Sequence, residues 1–472
     1  MALPDVILAG TVVGSTLFTV LLLLLPSRYQ AQKQESPNSE KERNPLSGPV
    51  GGRSRNVVTS VQVLVLGDIG RSPRMQYHAI SIAKNGGQVD LIGYQESTPY
   101  SSIISDPRIS IVPIPLPPRI LRTENKSLFL ILGPLKVLWQ IWNLWLILGY
   151  RTKPARWMLV QNPPSIPTLA LAQVICFLRN THLIIDWHNF GWSILALKLG
   201  HSHPLVKAAR WYEFFFGRFA TANFAVTSAM CSILKSTYKI PTPIFPLHDR
   251  PPAHFQPLTP IQRSAFLNRL TETAPYASAI LAGTTRLLVS STSWTPDEDF
   301  SLLLDALVTV AMKASPNYPH ILVIITGKGP QQPYYLARIK DLRPQLGERV
   351  TVITAWLSAE DYPLLLGAAD LGVSLHKSSS GVDLPMKVVD MLGCGLPVVG
   401  WSKFESWREL VREDENGKGF GSADELAKIL DDLFGPGDSR LKHLRRGAIQ
   451  EGKRRWDEEW MPIAGRLLGL CS

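Results

Sequence analysis

The chain has 472 residues, enough for two or three domains each with its own core. Lys plus Arg exceed Asp plus Glu by 49 − 38 = 11, which suits nucleic acid, an anionic membrane or a phosphorylated substrate. No zinc-like cysteine spacing or RNA-reading aromatic signature is present, so nucleic acid is not expected as a partner. Cys176, Cys231, Cys394 and Cys471 are scattered through mostly apolar runs, which argues against a disulfide framework and for a reducing compartment.

Val6 to Leu25 is a run of twenty residues without a charge, about 30 Å as a helix and long enough to cross a bilayer core. It lacks a basic leader and an Ala-x-Ala site, so a retained anchor over 1–27 is expected rather than a cleaved signal. Arg28, Lys33, Lys41 and Arg43 follow it and only Asp5 precedes it, which puts the rest of the chain in the cytosol. That topology leaves the Asn125-Lys-Ser127 sequon unused. Residues 28–56, rich in Ser, Pro, Glu, Lys and Gly, read as a disordered tether.

A first α/β domain is expected over 57–245. Val61 to Leu66 is an apolar strand running into Gly67-Asp-Ile-Gly70 and Arg71-Ser-Pro-Arg74, with a helix through Tyr77 and His78 and a strand from Val89 to Gly93. This is a βαβ unit, and its two glycines fit a tight strand-to-helix turn better than a dinucleotide loop. Leu128 to Tyr150 is Leu-, Ile- and Trp-rich. It is expected as a partly exposed helix with Trp139, Trp142 and Trp145 at a lipid interface, a fully buried helix being the alternative. Arg151, Lys153 and Arg156 after it suit anionic headgroups.

Leu183 to Ile185 runs into Asp186-Trp-His-Asn-Phe-Gly-Trp192. The carboxyl ends of strands are where an open α/β sheet places its chemistry, and Asp186 and His188 share one face of an extended chain. A capping Asp and a hydrogen-bonded structural His would be the bland account. Glu213 lies on a mostly buried helix. Pro241 to Pro257 reads as a hinge and Leu258 to Leu281 as an insertion, so 246–285 separates the domains.

A second α/β series is expected over 286–445, with a last helix in 446–472. Arg286 to Val289 leads into Ser290-Ser-Thr-Ser-Trp294, whose hydroxyls and amides could hold phosphate. Thr295-Pro-Asp-Glu298 has the form of a capping box, so Asp297, Glu298 and Asp299 are expected as helix-start charges rather than metal ligands. Ile321 to Ile325 runs into Thr326-Gly-Lys-Gly-Pro330, and Val350 to Ile353 into Ala355-Trp-Leu-Ser358. Ala369 to Leu375 is a strand, followed by a small-residue loop and a helix from about Pro385 to Cys394. The start of that helix offers free amides to an anion. Lys387 in its first turn and Asp390 three residues on complete a set suited to a nucleoside diphosphate.

The succession Gly327-Lys-Gly-Pro330, Trp356-Leu, Ala368-Ala-Asp370, Pro385-Met-Lys-Val-Val-Asp390, Gly395-Leu-Pro-Val, Glu409-Leu-Val and Asn416-Gly resembles the carboxyl-terminal half of the GT-B glycosyltransferases. Gly67 to Met75, Asp186 to Trp192, His248-Asp-Arg-Pro-Pro252, Ser290 to Phe300 and Leu384 to Met391 make the chain similar to one family within them, the chitobiosyldiphosphodolichol β-mannosyltransferases of the endoplasmic reticulum. The resemblance implies an α/β fold of two Rossmann-like domains facing a cleft behind an amino-terminal transmembrane anchor. It further implies a single-pass protein of the endoplasmic reticulum membrane with cytosolic catalytic domains, and other enzymes of the lipid-linked oligosaccharide pathway as further partners. Retaining relatives carry two glutamates eight apart, the second matching Asp390; here the first position is Val382, with Asp383 the nearest acid. That departure fits inversion.

On this resemblance, mannose passes from GDP-mannose to the 4-hydroxyl of the distal GlcNAc of a chitobiosyl-diphosphate lipid. Ser290, Ser291, Gly327, Lys328, Trp356, Lys387 and Asp390 are the expected donor residues. Lys328, Lys387 and the helix start would face the diphosphate, Asp390 the ribose, and Trp356 would lie near guanine. Asp186 or His188 is expected as the base, with Asp68 and Glu213 behind them and Gly70 and Arg71 on the acceptor side. No metal or cofactor is required, although a divalent cation could assist the diphosphate. The rivals are a retaining GT-B enzyme on another lipid acceptor and a non-catalytic membrane subunit of the same fold.

Overall fold

Runs such as Ile321-Leu-Val-Ile-Ile325 are apolar on both faces of an extended chain, which is how strands covered by helices on both sides are written. In the computed structural model they build two parallel sheets. The structure describes residues 15–16, 25–30, 58–122, 126–313, 315, 317–435 and 439–470. Most of the expected anchor and tether, and Asn125 of the sequon, lie outside these. Among the described residues no helix is long and apolar enough to cross a membrane.

The first sheet has seven strands, β1 (Ser60–Asp68), β2 (Gln88–Tyr94), β3 (Ile109–Pro113), β4 (Trp157–Asn162), β5 (His182–Trp187), β6 (Ala222–Ala225) and β7 (Ile244–Pro246), in the order β3-β2-β1-β4-β5-β6-β7. The second has six, β8 (Thr285–Ser291), β9 (His320–Thr326), β10 (Val350–Ala355), β11 (Leu371–Ser374), β12 (Val398–Trp401) and β13 (Gly417–Phe420), in the order β10-β9-β8-β11-β12-β13. Strand order reverses beside β1 in one sheet and beside β8 in the other. Such switch points leave a crevice at the carboxyl ends of the strands.

The two units are clamped together. Thr227 donates its hydroxyl to the Val382 carbonyl at 2.6 Å, and Glu409 accepts from the free amides of Ser228 and Ala229 at the start of the Ser228–Ser236 helix. The hinge segment is held as firmly. His248 lies 2.8 Å from Glu459 and 2.9 Å from Glu409, Asp249 meets Arg74, and Arg250 pairs with Glu451 and Glu459. Residues 258–281 carry the helices Pro260–Arg269 and Ala277–Ala282, whose Phe266, Leu267 and Ile280 are buried in the core. The terminal helix Trp456–Trp460 returns to the first unit and packs on the Pro73–Lys84 helix.

Lys126–Leu146 is a helix that is part core and part surface. Leu144 is buried and Trp145 is half-buried against the core, whereas Trp142 is 61% exposed. Of the expected row of three interfacial tryptophans, only Trp142 is mainly exposed, Trp139 and Trp145 being half-buried.

Candidate active site

β5 delivers Asp186 to its carboxyl end with no exposed surface at all. An unpaired carboxylate there would cost several kcal/mol. Arg74, in the first turn of the Pro73–Lys84 helix, meets it with a two-pronged fork: Nε donates to Oδ2 and Nη2 to Oδ1, both at 2.8 Å. The third guanidinium nitrogen donates to Asp249 at 2.8 Å, and the group lies 5.3 Å from the Trp456 ring. Burial pushes the Asp186 carboxyl up, but the Arg74 charge and the neighbouring imidazoles override it and hold it well below the usual range.

Two histidines share this carboxylate. His78 is fully buried, and its Nδ1 accepts from the Trp460 indole N–H at 2.9 Å. Indole is a donor only, so the His78 proton sits on Nε2, 3.2 Å from Asp186 Oδ2. Burial keeps this imidazole neutral. His188 follows the strand, tied by its backbone N–H to the Asn162 carbonyl, with Nε2 at 2.9 Å from the same Asp186 oxygen. Its side chain is 23% exposed, and it alone of these four side chains opens to the cleft. A proton on Nε2 leaves the Nδ1 lone pair for a substrate hydroxyl. Asp186 has no exposed surface from which to meet one, so the geometry removes it as the base and makes it the group that orients His188.

The reserve acids are also committed elsewhere. Asp68 accepts from the amides of Gly70, Glu96 and Ser97 and from the Ser97 hydroxyl. Burial raises its pKa, but these bonds outweigh that and hold it low. It shapes the turn in which a Cβ on Gly70 would lie 2.8 Å from the Ser97 carbonyl oxygen. Glu213 is buried and accepts from Asn162 and from the Gly191 amide that opens the Gly191–Leu199 helix. Burial pushes its pKa up to about 7. Both are structural. Arg71 projects outward, with its nearest acid Asp68 at 3.6 Å.

On the second sheet, the loops after β8 and β9 press together so closely that a Cβ on Gly327 or Gly329 would collide with the carbonyl oxygens of Thr292 or Ser293. Ser290 is buried and its hydroxyl donates to the Val373 carbonyl at 2.9 Å, so it is not available to a phosphate. Ser291 pairs with the Tyr362 hydroxyl. Lys328 lies over the Trp356 ring at 4.4 Å, and Trp356 is 64% exposed.

The capping box expected at 295–298 does not form. The helix runs Phe300–Lys313, and Asp299 accepts from the Ser301 amide at its start. Glu298 instead turns inward, accepting from the Thr292 hydroxyl, the Ser293 amide and Lys387. A buried carboxylate that gathers the loop and the lysine is more stable than an exposed reach back to Thr295. Lys387 thus stands at the start of the Met386–Gly393 helix beside a carboxylate, without needing an anion to hold it there.

Asp390, one turn on, has its pKa raised to about 8, by burial and then by the negative charge of Asp249. Asp383 is tied to His376 at 2.9 Å and to the Ser378 hydroxyl. Burial raises its pKa, but the His376 pairing outweighs that and holds it low. The loop carrying Ser379 touches the first unit directly: Asn189 donates to the Ser379 hydroxyl at 3.2 Å, and Ser193 lies 3.1 Å from it. The His188 loop and the loop before Lys387 therefore form two walls of one cleft.

Sequence reasoning overlooked Arg74, His78, Asp249, Glu298 and His376. A buried strand-end Asp needs a cationic partner, and Arg74 stood within the Gly67 to Met75 run already singled out.

Residues 284–435 match the family model described as Glycosyl transferases group 1. A protein of Arthroderma benhamiae named chitobiosyldiphosphodolichol beta-mannosyltransferase is 55% identical over 384 residues, covering 80% of this chain and 86% of that one. A protein of Arabidopsis thaliana named UDP-glycosyltransferase TURAN is 40% identical over 86% of this chain and 96% of its own. Among solved structures, Anabaena Alr3699/HepE in complex with UDP and glucose superposes with a TM-score of 0.58 at 17% identity. That match covers 87% of this chain and all of the other, a likeness of GT-B fold.

Proposed function

The chain belongs to the chitobiosyldiphosphodolichol beta-mannosyltransferase family, and from that premise we propose that it moves mannose from GDP-mannose to the distal GlcNAc of a lipid-linked chitobiosyl diphosphate, with inversion. The observation that carries the proposal is the His188–Asp186 pair. It is the arrangement a base needs, an imidazole with one nitrogen fixed by a carboxylate, on a side chain that remains partly exposed.

In this mechanism His188 Nδ1 takes the proton of the GlcNAc 4-hydroxyl. The oxygen attacks the anomeric carbon as the bond to the diphosphate breaks, and GDP leaves with the electron pair. Asp186, held in place by the Arg74 fork, stabilises the imidazolium that forms. Lys387, Lys328 and the amides opening the Met386–Gly393 helix meet the charge developing on the diphosphate. Asp390 serves the ribose diol and Trp356 the guanine. This reading requires no metal, and a divalent ion carried with the diphosphate would add to the same positive potential. Inversion is supported by Val382 and Asp383. The first is an apolar buried residue and the second is consumed by His376 and Ser378, so no carboxylate waits to form a glycosyl-enzyme.

The apolar run Val6 to Leu25 serves as a single anchor in the endoplasmic reticulum membrane, with both domains cytosolic beside the other enzymes of the pathway. The test incubates the membrane-extracted full chain with GDP-mannose and the chitobiosyl-diphosphate lipid, then determines product mass and anomeric linkage. One added hexose in β-linkage is expected. An α-linked product favours the retaining alternative, and absence of both transfer and GDP binding favours a non-catalytic subunit. Transfer from a UDP-sugar in preference to GDP-mannose overturns the donor assignment, a contrast made relevant by the name of the Arabidopsis relative.

A further inference from the structure

We infer that the first domain docks on an anionic lipid bilayer through the exposed face of the Pro204–Phe216 helix and its neighbours, a second membrane contact separate from the anchor. Trp211 and Phe215, one turn apart, are 63% and 42% exposed and stack on each other at 5.5 Å, with Phe219 5.3 Å beyond Phe215. Aromatic rings held in a row against water leave much of their apolar surface exposed. At a lipid interface each contributes. The helix packs on Thr168–Arg179, which in turn packs on Lys126–Leu146, and these present exposed Phe177 and Trp142. Exposed aromatic rings therefore recur on three adjoining helices, where isolated exposed rings would need no explanation.

Charge selects the partner. Over 191–219 the cations are Lys198, Lys207, Arg210 and Arg218, all exposed, and the one acid, Glu213, is buried. An aromatic face bordered by unopposed cations is the signature of an interfacial helix on anionic headgroups, whereas a protein partner of this size would bring acids to a less apolar rim. The chain's own course agrees. Residues 25–30 run against the carboxyl end of the Thr168–Arg179 helix, with Arg28 donating to the Leu178 carbonyl, the Tyr29 amide to that of Arg179, and Arg179 to that of Ser27. The apolar run that ends at Leu25 thus enters the fold beside Phe177. This rests on the proposal that the run is a membrane anchor.

The experiment places the photo-crosslinker benzoylphenylalanine, one site at a time, at Trp211, Phe215, Tyr334 and Phe18 in the full chain. The protein is reconstituted in vesicles of phosphatidylcholine with about one quarter phosphatidylserine. Lipid adducts are expected from 211, 215 and 18, and not from 334, an exposed ring of the second domain. Adducts from 18 without any from 211 or 215 overturn the docking face and leave the anchor standing. Absence from 18 overturns the anchor, and adducts at 211 and 215 then still support the face. Cross-links from 211 to a second copy of the chain overturn it in favour of self-association. As a second measure, the Trp211→Glu, Phe215→Glu double variant is expected to slow transfer to a long-chain acceptor in vesicles by about fivefold or more. It leaves transfer to a short-chain, water-soluble acceptor unchanged. Equal loss on both acceptors points to misfolding of the variant, and the cross-linking result then decides.

Discussion

Trp460 donates its indole N–H to Nδ1 of His78 at 2.9 Å, across 382 positions of sequence. Both side chains are fully buried. The bond fixes the proton of His78 on Nε2, facing the carboxylate that orients His188. A terminal helix thereby sets the protonation of a residue behind the proposed base. Trp460→Phe keeps the ring and removes the donor. It is expected to cost about 1–2 kcal/mol of stability and to lower kcat about three- to tenfold with KM nearly unchanged. Thermal unfolding and steady-state kinetics check the two effects separately.

Asp186 and Arg74 should fail differently from His188. Arg74→Lys keeps the charge but loses the fork and the Asp249 bond. It is expected to destabilise by about 2–4 kcal/mol, close to the cost of breaking a buried pair. Asp186→Asn preserves shape but no longer stabilises the imidazolium. A fall in kcat of about 10²-fold or more is expected, by analogy with orienting carboxylates elsewhere, and single-turnover rates measure it.

Lys387 and Glu298 form a pair whose removal one side at a time is informative. Lys387→Met leaves Glu298 buried without its cation, at an expected cost of about 2–4 kcal/mol, together with GDP affinity weakened about tenfold or more. Adding Glu298→Gln should return most of the stability and none of the affinity. Titration calorimetry with GDP and chemical denaturation of the three variants give the cycle. Recovery of GDP binding in the double variant would mean that Lys387 does not meet the diphosphate.

Asp390 titrates in the wrong direction for stability. Its folded pKa of about 8 lies above the 3.8 of an ordinary aspartate. Between those values the folded chain holds a proton that the unfolded chain has released, so this group's contribution falls as pH rises. Asp390→Asn removes that slope. The variant is expected to be about 1–2 kcal/mol more stable near pH 7.5 and about tenfold weaker for GDP, because the side chain is partly open to the cleft and realises only part of the shift. Unfolding midpoints across the pH range test it.

His248 has the opposite sign. Burial lowers its pKa, but Glu409 and Glu459 on either side raise it above 6.5, against the smaller effect of Arg250. Its contribution is full below about pH 6.5 and is lost as pH rises through the folded value. His248→Gln should be less stable than the parent near pH 6, with the gap narrowing toward pH 9. A gap that does not change with pH would show that the clamp does not depend on the charge.

The sheets were legible because β8 and β9 are buried on both faces and are spelled largely as apolar runs. His188 was legible because β5 ends beside it. The use of individual hydroxyls and acids was not. Whether Ser290 faces a ligand or the Val373 carbonyl depends on a strand paired in the folded sheet, and Glu298 was drawn from a local cap by a lysine 89 residues away. Local spacing states which atoms can bond. Only the tertiary neighbours decide which ones do, as Arg74, Asp249 and Trp460 illustrate around Asp186.

The most direct test is the single-turnover rate of His188→Ala with GDP-mannose and the lipid acceptor, beside its GDP binding isotherm. A fall of about 10²-fold or more is expected, with GDP affinity within about twofold of the parent. A rate within about threefold of the parent would contradict the assignment of His188 as the base.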